Sequence, residues 1–383
     1  MAKKKLLPIY RLMLEKNEIA AVTAVLRSGQ ISRGIMPGEI EKRFANLLGC
    51  ADTVIVSSGT AALQLATAVL QLPPGSEVIV PSLSFVATAF AAEYCHLRPV
   101  FCEVEQDTFN ISPEDILRKL TKKTKAVIPV HYGGYPAELS RINEIASRHG
   151  LFVIDDAAHA FGAEYGGRKI GALADLSCFS FFSTKNITSG EGGLVSTDNR
   201  AFADKIRKMR AHGIVPMSGS PKTSGYYDVK TIGYNYHLNN MGIGLLNAKL
   251  DLFEERQTKR RKNAALLSNL LSENECIETP LDKDGRHVYH LYSIRLKLGR
   301  FKVSRDDFIR ALLSEGIQAG VYYRPIHLFS YFKAKYGYGR GDLPVTERVS
   351  DSIVTLPLYP SLSGEELKRI AAAVNKVTLK LRR

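Results

Sequence analysis

The sequence predicts an α/β fold: a large, mostly parallel sheet domain with helices on both faces, followed by a small C-terminal α+β domain. Three observations carry that expectation. Between about residue 50 and about residue 200, short apolar runs rich in β-branched residues alternate with helical patterns, as a parallel sheet with crossover helices requires. One of these runs, residues 151–154, leads directly into Asp155 and Asp156, which places acids at the carboxyl end of a buried strand. The segment 272–285 is then polar and acidic with one proline, and marks a domain boundary.

Taken in order, residues 1–30 form an N-terminal arm. Strands are expected over 53–56, 77–80, 99–104, 126–130, 152–155 and 177–181. A helix is expected over 136–149, stopped by Gly150. A long helix is expected from about 240 through 270, with the charged stretch 254–262 on a solvated face. The large domain thus covers 1–271. In 272–383, residues 290–298 alternate like a strand, while 305–313 and 365–377 read as helices.

Composition narrows the class. The chain has 383 residues, enough for a large core, and 45% of them are hydrophobic. No stretch reaches the length needed to span a bilayer, and the apolar run near the N-terminus breaks too early for a signal peptide, so a cytoplasmic protein is expected. Cys50, Cys95, Cys102, Cys178 and Cys276 are scattered without metal-ligand spacing, so reduced thiols and no metal are expected. The net charge of +14 favours anionic partners. No nucleic-acid-binding signature accompanies it.

Three segments carry chemistry. The run 178–193 sets Lys185 at the end of a strand between Ser183 and a glycine-rich turn. That suits a Schiff-base lysine, which needs a partly desolvated amine, hydroxyls for a phosphate and glycines where backbone passes close to a ring. A surface strand end would read the same way. Upstream, Asp156 at a strand's carboxyl end is placed to meet a ligand. Paired with Lys185 it matches what pyridoxal phosphate needs: a lysine and an acid to keep the ring nitrogen protonated. The third segment, 54–63, is a strand, a small polar turn and a helix start, where free N–H groups bind phosphate or simply cap the helix.

With these segments, and with 81–88, 129–134, 233–236 and 356–360 in the same order, the chain resembles the DegT/DnrJ/EryC1/StrS family of sugar aminotransferases over nearly its whole length. The resemblance implies the aspartate-aminotransferase-like fold of type I pyridoxal phosphate enzymes. It implies that Lys185 binds the cofactor and shuttles a proton, and that Asp156 pairs with the pyridine nitrogen. His159 falls near the cofactor ring, where a packed histidine also fits. Phe85 matches the aromatic residue that covers the ring, and Gly59, Thr60 and Ser180 match the phosphate cup. Asn235 corresponds to a residue that reaches the phosphate from the neighbouring subunit, which implies a homodimer with shared active sites. Tyr323 and His327 match a segment near the substrate.

The resemblance further implies transfer of nitrogen from L-glutamate, released as 2-oxoglutarate, to a keto sugar on a nucleotide diphosphate. Segments 125–133, 154–162 and 185–199 are most similar to enzymes that aminate C4 of UDP-linked 4-keto sugars, including the UDP-4-amino-4-deoxy-L-arabinose branch. The chain departs from that branch at Gln30, Arg33 and Phe85, and from many family members at His237. Arg33 could pair with a diphosphate or lie on the surface. A sugar dehydratase with the same cofactor would carry histidine in place of Lys185. A sugar-binding or regulatory relative without turnover is the other alternative.

Overall fold

The computed structural model describes residues 6–32, 36–217 and 225–383. The large domain is organised by a seven-stranded sheet. Its strands are β1 (Asp52–Val56), β2 (Glu77–Pro81), β3 (Arg98–Cys102), β4 (Thr124–Val127), β5 (Phe152–Asp156), and, beyond a small ribbon of β6 (Glu164–Tyr165) and β7 (Arg168–Lys169), β8 (Leu176–Ser180) and β9 (Gly193–Thr197). The order across the sheet is β1-β9-β8-β5-β4-β2-β3. Only β9 runs against its neighbours. The carboxyl ends of β1, β2, β5 and β8 therefore lie along one edge, where the site is built.

The strands read as near-continuous apolar runs because both faces are covered. Along β1, Val54 and Val56 pack under the helices Gly59–Ala68 and Arg200–Arg210, while Ile55 points to the other face, against Phe44, Phe179 and Leu246. This two-residue alternation puts one side chain in each layer. Six expected strands are present within a few residues of their expected limits, and the expected helix stopped by Gly150 spans Leu139–His149, with Gly150 in the left-handed region at φ 62°. Strand β9 was not anticipated.

The register of β9 matters for the site. Gly193 pairs with Val56 on one side and Ser180 on the other. A Cβ there would fall 2.3 Å from the Ser58 carbonyl oxygen, so only glycine lets the turn after β1 close down beside the end of β8. Gly193→Ala is expected to cost about 1–3 kcal/mol by overpacking, read as a lower denaturant midpoint at unchanged slope.

After the hairpin β10 (Ile214–Pro216) and β11 (Tyr227–Val229), the C-terminal region carries the antiparallel sheet β12 (Ile277–Glu278), β13 (Tyr292–Leu296) and β14 (Ile353–Leu356). Its core gathers Tyr292, Ile294, Phe308, Val354, Ile370 and Val374. It also takes in Leu7 from the N-terminal arm and Ala264, Leu267 and Leu271 from the helix Phe253–Leu271. The expected boundary at 272 falls at the end of that helix.

Two features of this region differ from expectation. The expected single helix is two, Asn240–Asp251 and Phe253–Leu271, separated at Leu252 with φ −107° and ψ 5°. After the break, Phe253 packs edge-on against Phe161 at 4.9 Å, over a Gly162 that has no Cβ to obstruct it. The charged stretch after it is not all solvated either: Gln257 and Arg260 are buried. All five cysteines are free thiols. Among the described residues no helix is long and apolar enough to cross a membrane, and no group of His, Cys, Asp and Glu could hold a metal ion.

Candidate active site

At the shared strand edge a cavity of about 1050 Å³ opens. Lys185 lines it from the turn between β8 and β9, where its backbone N–H donates to the Phe182 carbonyl at 2.9 Å. Burial pulls its amine down from 10.5 to about 8, against the Asp156 charge, which holds it up. An amine so placed has a neutral fraction near physiological pH that a solvated lysine lacks, as a nucleophile that must bond an aldehyde requires.

Asp156 ends β5 and is 5% exposed. Its Oδ2 accepts from the Thr88 hydroxyl at 2.7 Å and its Oδ1 from the Ala158 N–H at 3.2 Å. Thr88 has one proton and gives it to Asp156, so Ser84, 2.8 Å away, donates in turn to Thr88. Burial raises the carboxyl, while these hydrogen bonds oppose the rise by favouring the ionised form. A cation facing the cavity side of Asp156 would complete its pairing.

The first turn of the helix Gly59–Ala68 faces the same cavity. Ser58 caps it by accepting from the Ala61 N–H at 3.1 Å, which leaves Gly59 and Thr60 with N–H groups at the mouth. A Cβ on Gly59 would lie 2.8 Å from Ser180 Cβ, so glycine is what brings the helix end against the Ser180 hydroxyl. Backbone donors at a helix N-terminus beside a hydroxyl make a phosphate site. Phe85, after β2, lines the cavity with 57% of its surface exposed, an unusual state for phenylalanine and one that leaves a ring face open for stacking. A lysine of lowered pKa, a buried carboxylate, an anion cup and an exposed ring face together fit pyridoxal phosphate.

His159 is neutral: burial first, then the charges of Lys185 and His131, push its pKa well below the ordinary range. The Gly133 N–H donates to Nδ1 at 3.3 Å, which fixes the proton on Nε2. That N–H then donates to the Tyr323 hydroxyl at 3.1 Å. Tyr323 lines the cavity, and with its oxygen accepting from His159, its own proton is free to be donated into the site.

Other expected site residues fall elsewhere. Asn235 is exposed and is not among the residues that line the cavity in its own chain. Arg33 lies outside the described residues. His327 is a correction: it is fully buried, with Nδ1 2.7 Å from Ser82 Oγ and Nε2 3.2 Å from Glu347 Oε1, and it does not line the cavity. It ties the loop after β2 to the helix Pro344–Ser352, because a buried imidazole with partners on both nitrogens is a structural clasp.

The structure adds residues that the motifs did not single out. Thr88 orients Asp156, and its signal was present as a hydroxyl one helical turn after Ser84. His290 lines the cavity and packs on His159 with ring centroids 4.5 Å apart. Arg260 lines it from the helix Phe253–Leu271. Its signal was phase: Phe253, Gln257, Arg260, Ala264, Leu267 and Leu271 recur every three or four residues, so the arginine stands on the apolar stripe.

Residues 13–375 match the model of the DegT/DnrJ/EryC1/StrS aminotransferase family. The spore coat polysaccharide biosynthesis protein SpsC of Bacillus subtilis is 35% identical over 97% of each chain. PseC of Helicobacter pylori, an aminotransferase involved in the biosynthesis of pseudoaminic acid, superposes with a TM-score of 0.93 at 27% identity, covering 99% of this chain and 100% of its own. The PLP form of Spr1654 from Streptococcus pneumoniae superposes with a TM-score of 0.91 at 26% identity, over 98% of this chain and 99% of its own. On that match the chain belongs to the DegT/DnrJ/EryC1/StrS aminotransferase family and is a pyridoxal phosphate-dependent enzyme of the type I aminotransferase fold.

Proposed function

We propose that the protein moves an amino group from L-glutamate to a keto sugar carried on a nucleoside diphosphate, at C4 of a UDP-4-keto sugar, for surface polysaccharide or related glycan synthesis. The observation that carries this reading is the reach of the cavity. It extends beyond Lys185 and the phosphate cup to a wall made by the N-terminal arm and the helix Phe253–Leu271, and includes Arg11, Lys16, Arg256 and Lys259. At about 1050 Å³ it lies at the upper end of the roughly 300–1,000 Å³ of small-molecule sites, with room for a large anionic substrate beside the cofactor. SpsC and PseC, whose names concern polysaccharide and sugar biosynthesis, support a sugar as acceptor.

When bound, pyridoxal phosphate supplies an electron sink that lets a proton leave the carbon bearing the amine. The chain does the rest. Lys185 anchors the cofactor, and once released its amine, titrating at about 8, is suited to take a proton from one carbon and return it to another. Asp156, held by Thr88 and Ala158, presents a fixed negative charge. Gly59, Thr60 and Ser180 hold phosphate, Phe85 excludes water from one ring face, and Tyr323 donates a proton oriented by His159.

A homodimer belongs to the same reading. The segment before Asn235 exposes Tyr226 at 70%, Tyr227 at 61%, Val229 at 54% and Ile232 at 83%, an apolar surface suited to a second copy. Asn235 would then reach the partner's phosphate cup. The experiment is to load the purified protein with pyridoxal phosphate, add L-glutamate, and follow loss of visible absorption with release of 2-oxoglutarate. A panel of nucleotide keto sugars should then restore the absorption. No 2-oxoglutarate from any loaded preparation would remove the reading.

Cofactor capture by the free protein needs the neutral amine. Its rate is expected to rise about tenfold per pH unit below about 8 and to level off above it, followed by stopped-flow absorbance. The folded value lies below the unfolded one, so between about 8 and 10.5 the native state binds fewer protons, and the free protein gains stability as pH rises through that window. A capture rate still climbing at 10.5 would show an ordinary, solvated lysine.

A further inference from the structure

Ser82, His327 and Glu347 form a hydrogen-bonded chain that the chemistry at Lys185 leaves unused. Ser82 and His327 are fully buried, Glu347 is 5% exposed, and none of the three lines the cavity. The His327 backbone N–H donates to Ser82 Oγ at 3.1 Å, so the Ser82 hydroxyl gives its own proton to Nδ1, 2.7 Å away. That leaves the imidazole proton on Nε2, which donates to Glu347 Oε1 at 3.2 Å. Burial pulls the imidazole below its ordinary pKa, against the Glu347 charge, which raises it. The same Glu347 oxygen accepts from the Gly341 N–H at 2.8 Å. A serine, a histidine and an acid in this order would suit a nucleophile, but a hydroxyl that meets neither solvent nor cavity cannot attack a substrate. The chain is placed to hold something.

What it holds are two walls of the active site. Ser82 opens the loop after β2, and along that loop Phe85 supplies the open ring face while Ser84 and Thr88 supply the hydroxyl relay to Asp156. His327 closes the segment that begins with Tyr323. The Ile326 N–H donates to the Ser82 carbonyl at 2.8 Å, so the two segments are joined through backbone as well as side chains. The helix Pro344–Ser352 then grips 323–327 at both ends: Glu347 accepts from His327, and Ser350, about one turn on, donates to the Tyr323 carbonyl at 2.8 Å. At the cavity the Phe85 and Tyr323 rings stand 6.3 Å apart at 53°. Their supports meet at His327.

We propose that His327 is a positioning residue for the reaction, fixing the Phe85 ring relative to the Tyr323 hydroxyl from outside the cavity. This rests on the reading that Phe85 and Tyr323 both face the reacting groups. The ring face comes from the loop after β2 in the large sheet and the hydroxyl from the C-terminal region, so the one must be held in register with the other across a gap of 241 residues, from Ser82 at one end to Tyr323 at the other. A histidine serves because one rigid ring offers an acceptor to Ser82 and a donor to Glu347. An error of about 1 Å in such a support can lower turnover about 100-fold, although the residue touches neither cofactor nor substrate.

The chain has no tryptophan, so Phe85→Trp gives a single fluorescent reporter at the ring position. Fluorescence anisotropy decay of the full chain without cofactor reads how freely that ring moves, and needs no reaction. Added to this background, Ser82→Ala and His327→Gln are each expected to raise the amplitude of the fast decay about twofold or more. With Phe85 in place and cofactor loaded, Ser82→Ala should lower kcat for release of 2-oxoglutarate from L-glutamate about tenfold and His327→Gln about 100-fold, with KM within about threefold. Thr346→Val controls for general loosening. On the same helix, it removes the bond from the Thr346 hydroxyl to Glu103 at 2.6 Å and that from the Val104 N–H to Thr346 at 3.1 Å. It should lower the melting temperature and leave the decay and kcat within about twofold of wild type. If His327→Gln does not fold, Ser82→Ala decides. Unchanged decay and unchanged kcat in either folded variant overturn the positioning role. Equal losses in Thr346→Val also overturn it, and give the effect to the helix at large. The decay does not depend on the donor, so a wild type inactive on L-glutamate removes the donor reading while the decay still decides for or against His327.

Discussion

Lys185→Ala is expected to lower turnover by on the order of 10⁴-fold or more, since one amine both anchors the cofactor and moves the proton. The loss should appear as absence of 2-oxoglutarate release from L-glutamate at any donor concentration. The fold should not suffer. Below about pH 8 the buried amine is charged at a cost to the native state, so alanine removes an unfavourable group and the melting temperature should hold or rise. Activity within tenfold of wild type, in protein shown to be intact, would take Lys185 out of the chemistry.

Asp156→Asn should come next, with a fall in turnover on the order of 10³-fold and weaker retention of the cofactor on dialysis. Asparagine keeps the shape and can still accept from Thr88 or Ala158, so what is lost is the charge. A second readout separates this from mere damage. The Asp156 charge holds the Lys185 amine up, so its removal should move the rise in cofactor capture to a pH below about 8. Unchanged pH dependence together with normal turnover would show that the two groups do not act on each other.

Both residues were legible before any coordinates, because a parallel strand buried on both faces leaves a plain apolar run and its carboxyl end is where polar chemistry emerges. Residues 152–154 and 177–179 end in Asp156 and Ser180 for that reason. Strand β9 was harder to see: it follows a run of glycines, and its place in the sheet depends on Gly193 pairing with β1, far away in sequence, as well as with β8. His327 was misplaced because a motif's neighbourhood does not say which way a side chain points, and this one turns inward to Ser82 and Glu347. Arg260 was hidden by its company. In a run of charged residues the eye averages the charge, whereas the helix sorts residues by phase, and position 260 shares its stripe with Ala264 and Leu267.

The helix Phe253–Leu271 has a bearing on how this protein could be recombined with its relatives. Its first residue packs against Phe161 of the large domain, and its last turns belong to the C-terminal core with Leu7 from the other end of the chain. A chimaera joined at 271/272 would pair one parent's Ala264, Leu267 and Leu271 with another parent's Tyr292 and Ile370, splitting a single core between two sequences. The break at Leu252 keeps that core whole when the residues around Leu7 travel with the C-terminal portion, and it then requires Glu18 to match both Lys249 and Arg256 across the seam. Such a graft would carry Arg260 and Tyr359 together and leave Lys185 and Asp156 with the host, so opposite walls of one cavity could be inherited from different parents.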